Sequence, residues 1–372
     1  MPDSAAATQG DLNLGSTGAP PARLTIDLGA LAANYETLVE LAAPAEVAAV
    51  VKADAYGLGL GPIAGRLAAV GCRSFFVATL DEGLRLRRLV PDGRVFVLQG
   101  IGGAIGACRE AHLIPVLNSL ADVRDWAAHG GGAAAALQLD TGMTRSGLDA
   151  RETAALAAEP ALLGELKLEL LLTHLACADD VLHPQNLEQL QRFNALKAKL
   201  PPMPTSIGNS AGMLLGPEFR GDLVRPGIAL YGGRPFLSGV NPMRPVVRLE
   251  ARVLQVRELT EDAAIGYGAT YRARAPARIA VLGAGYADGY PRALGGRGFA
   301  FAAGRRVPVV GRVSMDLTTI DVSELRADAL GPGDYVDLIG GGVPLDDAAA
   351  LAGTISYELL TGLAARLLRR WR

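Results

Sequence analysis

Between residues 46 and 226 the chain repeats one unit, a short apolar run, a turn and a segment of helical spacing, and this rhythm constrains the fold most. The runs read as strands are 47–51, 74–78, 95–98, 114–117, 135–139, 168–173, 205–207 and 222–225. Helical spacing falls between them over 61–70, 81–89, 122–128, 152–158 and 186–200. Continuous Val, Leu, Ile and Ala without alternation suits strands buried on both faces, and parallel strands need a crossover about the length of a helix. Eight such strands predict an α/β fold, a closed (β/α)8 TIM-type barrel, with an open doubly wound sheet as the alternative.

After Tyr231-Gly232-Gly233 the character changes. Residues 248–259, 277–282, 299–303, 306–313, 316–322 and 335–338 are rich in Val and Ile and separated by Gly, Pro and Asp turns, which predicts a mainly-β second domain. We place the barrel domain at 23–238 and the β domain at 239–372, with the boundary in the irregular stretch bracketed by Pro235 and Pro242. Residues 23–28 read as a strand that a closed barrel does not need, leaving it for the second sheet. Leu28, Leu31, Tyr35, Leu38 and Leu41 predict an amphipathic helix, and 356–371, apolar with terminal arginines, reads as another. Residues 1–22 are rich in Ala, Gly, Ser, Thr and Pro without an apolar segment or basic start, so a disordered tail rather than a signal peptide is expected.

With 372 residues, 50% of them hydrophobic and 20% charged, the chain can bury a large core in two domains. A net charge of -2 supplies no field for duplex nucleic acid or an acidic membrane surface, and no apolar run approaches the ~20 residues of a spanning helix. Cys72, Cys108 and Cys177 are odd in number and form no CxxC, and His112, His129, His174 and His183 form no pair at metal spacing. No disulfide framework and no metal are expected, and a reducing, cytoplasmic location is.

The unusual polar residues fall at strand ends. Lys52 follows the first strand, Asp140 to Arg145 the fifth, His174 ends the sixth, Asn209-Ser210 follow the seventh and Arg225 ends the eighth. In a barrel of this kind the C-terminal strand ends converge on one site. A lysine delivered there by the buried run Val47 to Val51 can be partly desolvated, which lowers its pKa and frees an amine able to form a Schiff base with an aldehyde. Each residue also has an ordinary reading: a lysine snorkelling to solvent, a satisfied core histidine, a solvated arginine.

Eight blocks in order, Val51-Lys52-Ala53-Asp54-Ala55-Tyr56-Gly57, Asp140-Thr141-Gly142-Met143, Thr173-His174, Asn209-Ser210, Val224-Arg225-Pro226-Gly227-Ile228, Tyr267-Gly268-Ala269-Thr270-Tyr271, Gly285-Tyr286-Ala287-Asp288-Gly289 and Gly311-Arg312-Val313-Ser314-Met315-Asp316, resemble the motifs of bacterial alanine racemases. The resemblance implies a barrel followed by a β domain, pyridoxal 5'-phosphate (PLP) as cofactor, and a homodimer that supplies D-alanine for peptidoglycan. It implies Lys52 and Tyr267 as the two catalytic bases, Tyr267 coming from the partner subunit. Phosphate would be held by Tyr56, Ser210, Gly227, Ile228 and Tyr357, with Asn209 beside them. Arg225 would face the pyridine nitrogen and His174 would bridge Arg225 and the far-face base. Arg145, Met315, Tyr267 and Tyr286 would surround the substrate, Tyr286 narrowing the way in. Without the motifs, Tyr267 and Tyr286 would read as β-domain packing.

One position departs from the family. Many members carry a carbamylated lysine two residues before the motif aspartate, and this chain has Gln138. Glutamine can accept from Arg145 but supplies no charge, which leaves room for a bound anion such as chloride. A racemase of broader range acting on serine or lysine shares nearly all these motifs; the other readings are a PLP decarboxylase of the same barrel class, which needs no base such as Tyr267 opposite the lysine, and a non-enzymatic PLP-binding homeostasis protein built from the barrel alone, disfavoured by the whole β domain.

Overall fold

The computed structural model describes residues 18–100 and 102–372. The expected disordered tail falls largely on residues outside this description. Pro20 and Pro21 are already tied down: Pro20 O accepts from the Tyr335 hydroxyl at 2.5 Å and Pro21 O from the Arg252 N–H at 2.8 Å.

Strand β1 (Ala22–Ile26) precedes the barrel, whose strands are β2 (Glu46–Val47), β3 (Ala49–Val50), β4 (Ser74–Val77), β5 (Arg94–Val97), β6 (Ile114–Leu117), β7 (Ala134–Gln138), β8 (Lys167–Leu172), β9 (Thr205–Ser206) and β10 (Leu223–Val224). Strands β3 to β9 pair in sequence order, all parallel, as strands joined by helical crossovers do. The expected strand 47–51 is two pieces because it serves two neighbours: β2 pairs with β10 and β3 with β4. Ala48 N–H donates to Val224 O at 2.9 Å and Val50 N–H to Pro226 O at 3.0 Å, so the sheet curls back onto its first strand. Sequence spacing located the main helices within a few residues, as Leu60–Ala69, Leu80–Leu89, Leu120–His129, Ala150–Ala157 and Gln185–Lys197, and missed the short Ile105–Glu110 and Pro160–Gly164.

The β domain contains β11 (Val247–Leu259), β12 (Ala263–Ile265), β13 (Tyr271–Ala273), β14 (Ala277–Leu282), β15 (Phe299–Ala302), β16 (Arg305–Pro308), β17 (Thr318–Asp321), β18 (Tyr335–Ile339) and β19 (Leu368–Trp371). Strand β1 lies in this sheet, antiparallel to β11 and parallel to β19. Its Arg23 meets the buried Glu250 of β11 through two bonds of 2.8 Å, and Arg248 meets the buried Asp337 of β18 at 2.6 Å. The helix expected over 356–371 is corrected: helix Ser356–Thr361 stops before Gly362, and 368–371 is a strand because β1 offers it a free edge.

In the barrel interior, the Phe76 and Phe96 rings stack at 4.5 Å with both side chains fully enclosed. Replacing Phe96 by Ala removes this floor, and denaturant unfolding should show a loss of about 3–5 kcal/mol. A loss below about 1 kcal/mol would mean that the site collapses around the missing ring.

Candidate active site

The C-terminal ends of the barrel strands open into a cavity of about 910 Å³. Lys52, Tyr56, Arg145, His174, Asn209, Ser210, Arg225, Gly227, Ile228 and Tyr357 all line it. The first nine come from strand ends of the barrel, and Tyr357 comes from helix Ser356–Thr361 with Ile355, Glu358 and Thr361. Sequence reasoning missed these last three, and also Asn118, which follows β6 and obeys the same strand-end rule.

Lys52 begins a turn in which Ala53, Asp54, Ala55 and Tyr56 have φ of 53°, 54°, 54° and 58°. Left-handed backbone costs about 1–2 kcal/mol per non-glycine residue, so the surroundings must hold it. Ala53 N–H donates to Glu82 Oε1 at 2.6 Å, and Asp54 Oδ1 accepts from the Leu60 N–H at 3.1 Å and Arg85 Nη2 at 3.2 Å. The turn leaves the Lys52 ammonium partly desolvated, and this, with the nearby Arg145 charge, lowers its pKa.

Arg225 is buried beneath the cavity. Its Nη1 donates to Ser206 Oγ at 2.5 Å and its Nη2 to Thr173 O at 2.6 Å. Burial lowers its pKa to about 10, which leaves it protonated at neutral pH. His174 Nδ1 lies 3.4 Å from Nη2. A guanidinium can only donate, so Nδ1 accepts and the ring proton sits on Nε2. Burial, then the charges of Arg225, Arg145 and Lys52, push His174 down to about 3.

Opposite, the Ser210 hydroxyl accepts from the N–H groups of Gly227 at 2.9 Å and Ala229 at 3.3 Å. A Cβ on Gly227 would overlap the Tyr56 hydroxyl, so only glycine lets backbone and phenol meet there. Tyr56 packs on Tyr231 at 4.6 Å and Tyr357 at 5.9 Å between ring centres. Burial raises the Tyr56 phenol, and burial with the Asp179 charge raises Tyr357 to about 12, so both remain hydroxyl donors. Asn209 Oδ1 accepts from Gly212 N–H at 2.8 Å and shapes the loop carrying Ser210.

Arg145 follows a loop folded on Asp140, whose Oδ1 accepts from the N–H groups of Gly142, Met143 and Thr144 at 2.9, 3.0 and 3.1 Å. Gln138 does not reach for Arg145 as expected: its Nε2 donates to Ser146 O and Oγ, each at 2.9 Å. It fixes the residue beside the arginine.

Tyr267, Tyr286 and Met315 do not enter this cavity and stand exposed. Tyr267 occupies the turn of the β12–β13 hairpin, which sequence reading did not foresee, and is 70% exposed. Tyr286 N–H donates to Ser314 O at 3.0 Å and Ala287 N–H to Met315 O at 2.9 Å, so two of the three ride on laced loops. Among the described residues no cluster of His, Cys, Asp and Glu could hold a metal ion, and no helix is long and apolar enough to cross a membrane.

The low His174 pKa has a thermodynamic consequence. An unfolded histidine titrates near 6.5, so below that pH the unfolded chain binds a proton that the native site refuses. Stability should fall as pH is lowered from about 7 to about 5, the slope approaching about 1.4 kcal/mol per pH unit from this residue. Urea unfolding should show a shallower dependence for His174→Gln, and equal slopes would place the native pKa near 6.5.

The family description "Alanine racemase, N-terminal domain" matches residues 26–235 and "Alanine racemase, C-terminal domain" matches 246–371. A protein named alanine racemase from Acidiphilium cryptum is 51% identical over 350 residues, 93% of this chain and 97% of that protein. One named alanine racemase, catabolic, from Agrobacterium fabrum is 45% identical over 96% of this chain and 93% of its own length. The crystal structure of alanine racemase from Bartonella henselae with covalently bound pyridoxal phosphate is 39% identical, covers 95% of this chain and 100% of that one, and superposes with a TM-score of 0.91. With both domains matched in order and relatives this similar over nearly the whole length, the chain belongs to the alanine racemase family.

Proposed function

We propose that the protein interconverts L- and D-alanine with PLP as cofactor, as a homodimer whose sites each take residues from both copies. The observation that carries this reading is one cavity holding a partly desolvated Lys52, a permanent Arg225 charge and the Ser210–Gly227 cradle. The donor set suits the cofactor: hydroxyls of Tyr56, Ser210 and Tyr357 and the amides at Gly227-Ile228 are phosphate partners, and Arg225 offers N–H groups to a ring nitrogen. When bound, PLP supplies an aldehyde that captures amines and a ring that spreads the charge left on Cα when its proton departs.

Lys52 holds the cofactor and then acts on the face that handles D-alanine, its Nζ taking or returning the Cα proton. Desolvation and Arg145 favour the neutral amine this requires. Tyr267 of the partner subunit does the same on the opposite face, for L-alanine. Racemisation needs both, because a proton removed from one face must be returned on the other. His174, held neutral against Arg225, would bridge that guanidinium and the far-face base. Arg225 can only donate, so it would leave the pyridine nitrogen of a bound cofactor unprotonated, which would suit racemisation better than side reactions. Arg145 and the Met315 N–H of the partner subunit hold the substrate carboxylate, and Tyr286 of the partner subunit narrows the way in. Support for the shared site is the exposure of Tyr267, Tyr286 and Met315 away from their own chain's cavity. The product would be cytoplasmic D-alanine for peptidoglycan.

Lys52→Ala should abolish both cofactor linkage and racemisation, and borohydride reduction followed by peptide mapping of the unmodified protein should locate the pyridoxyl group on Lys52. Tyr267→Phe should lower the rate by about 10²- to 10⁴-fold while the cofactor stays bound. Mixing the two variants under subunit exchange should restore about a quarter of native activity, since about half the dimers are mixed and each has one complete site. No recovery with exchange demonstrated would place both bases in one chain or remove Tyr267 from catalysis. Rates with L-serine and L-lysine beside alanine decide the breadth of substrate.

A further inference from the structure

The contacts from Glu82 and to Asp54 secure the start of the left-handed turn after Lys52, and its exit is secured from the β domain. Arg369 Nε and Nη2 donate to Gly57 O at 3.3 and 3.1 Å, and Trp371 Nε1 donates to Leu58 O at 2.9 Å. The indole also covers Gly59, whose φ is 98° and where a Cβ would lie 2.8 Å from the ring. Arg369 reaches this point prearranged, because Nη1 donates to Ala364 O at 3.1 Å and Nη2 to Leu363 O at 3.2 Å. Gly57 is backed by Leu360 O on the helix that carries Tyr357. Neither Arg369 nor Trp371 lines the cavity.

We infer that Arg369 and Trp371 of β19 are positioning residues, which hold Gly57 to Gly59 so that the turn presents Lys52 Nζ to the cavity. The energetic logic is that of a strained segment kept by its surroundings. Within the turn, Gly57 N–H donates to Ala53 O at 2.7 Å and Gly59 N–H to Asp54 O at 3.0 Å. Those bonds close the turn on itself, and the two carbonyls that β19 captures, Gly57 O and Leu58 O, lie at its exit. Releasing the carbonyls lets the turn relax toward ordinary backbone, and the lysine moves with it. Because β19 pairs with β1 in the second sheet, the lysine's position is referred to the β domain as well as to the barrel. This inference rests on the reading of Lys52 as the cofactor lysine.

The test uses the PLP-loaded enzyme with Arg369→Ala, Trp371→Phe, which keeps the ring and removes the N–H, and both together. Arg369→Lys keeps one donor for Gly57 O, and Arg370→Ala, the intervening exposed residue of β19, is the control. Hydrogen exchange of the amides of residues 53–60, kcat, KM and Tm are measured on each. In the double variant, exchange at Gly57 and Gly59 should rise at least about tenfold, and kcat should fall by about 10- to 100-fold with KM changed by less than about threefold, as a displaced reacting group requires. Arg369→Lys should recover part of both losses, and Arg370→Ala should match the parent. Unchanged exchange over residues 53–60 in the double variant overturns the inference. So does a fall in kcat that follows Tm alone and is not eased by Arg369→Lys. If the parent enzyme does not racemise alanine, the proposed function fails, whereas the exchange at Gly57 and Gly59 still decides whether β19 holds the turn.

Discussion

A guanidinium charge buried under the strand ends organises the site. Arg225 is almost fully enclosed, and a charge in that position is tolerable only with close partners. It finds them on two strand ends beside its own, at Thr173 O after β8 and at Ser206 Oγ and Ile207 O at the end of β9. These bonds fix the spacing of β8, β9 and β10, on which the loops with His174, Ser210 and Gly227 depend. Burial, with the same charge, keeps His174 neutral in a single tautomer, while Lys52 is eased toward its free amine by its own desolvation and by Arg145. One buried cation thus sets the geometry and helps to set the protonation of His174.

The barrel was legible because each strand is a short apolar run that nothing but burial explains, and the polar residues at the ends of those runs are conspicuous against them. Ten site residues named from strand ends and motifs line one cavity for that reason. What sequence could not supply was set by distant parts of the chain. Ala53, Asp54, Ala55 and Tyr56 are left-handed without a glycine among them, and the contacts that hold the turn come from Glu82 at its start and from β19 at its exit. Residues 368–371 continue a helical-looking stretch, and only the edge of β1 makes them a strand. Gln138 reads as a partner for Arg145, and the adjoining Ser146 takes its amide instead.

The β domain shows a different division. Its core strands were visible from their Val and Ile content, whereas the β12–β13 hairpin, with its turn at Tyr267, is a separate pair of three-residue strands too short to leave a strong apolar signal. Surface tyrosines and a half-exposed methionine carry no burial signature, so motif resemblance alone singled them out. The proposed sharing of the site between two copies accounts for this trace: residues that look dispensable in the copy that owns them.

The placement of β1 bears on how the protein is made. Ala22 pairs with Ala251 and Arg23 with Leu368, so a strand made before the barrel waits for partners that follow the barrel. The barrel strands, each paired with its neighbour in sequence, can assemble as they emerge, while β1 stays an open edge in the nascent chain. When β19 arrives it closes that edge and, in the same step, reaches the turn beyond Lys52. The strand that closes the second sheet on β1 is therefore the same one that touches the turn beyond the lysine, so one element serves both the domain and the site.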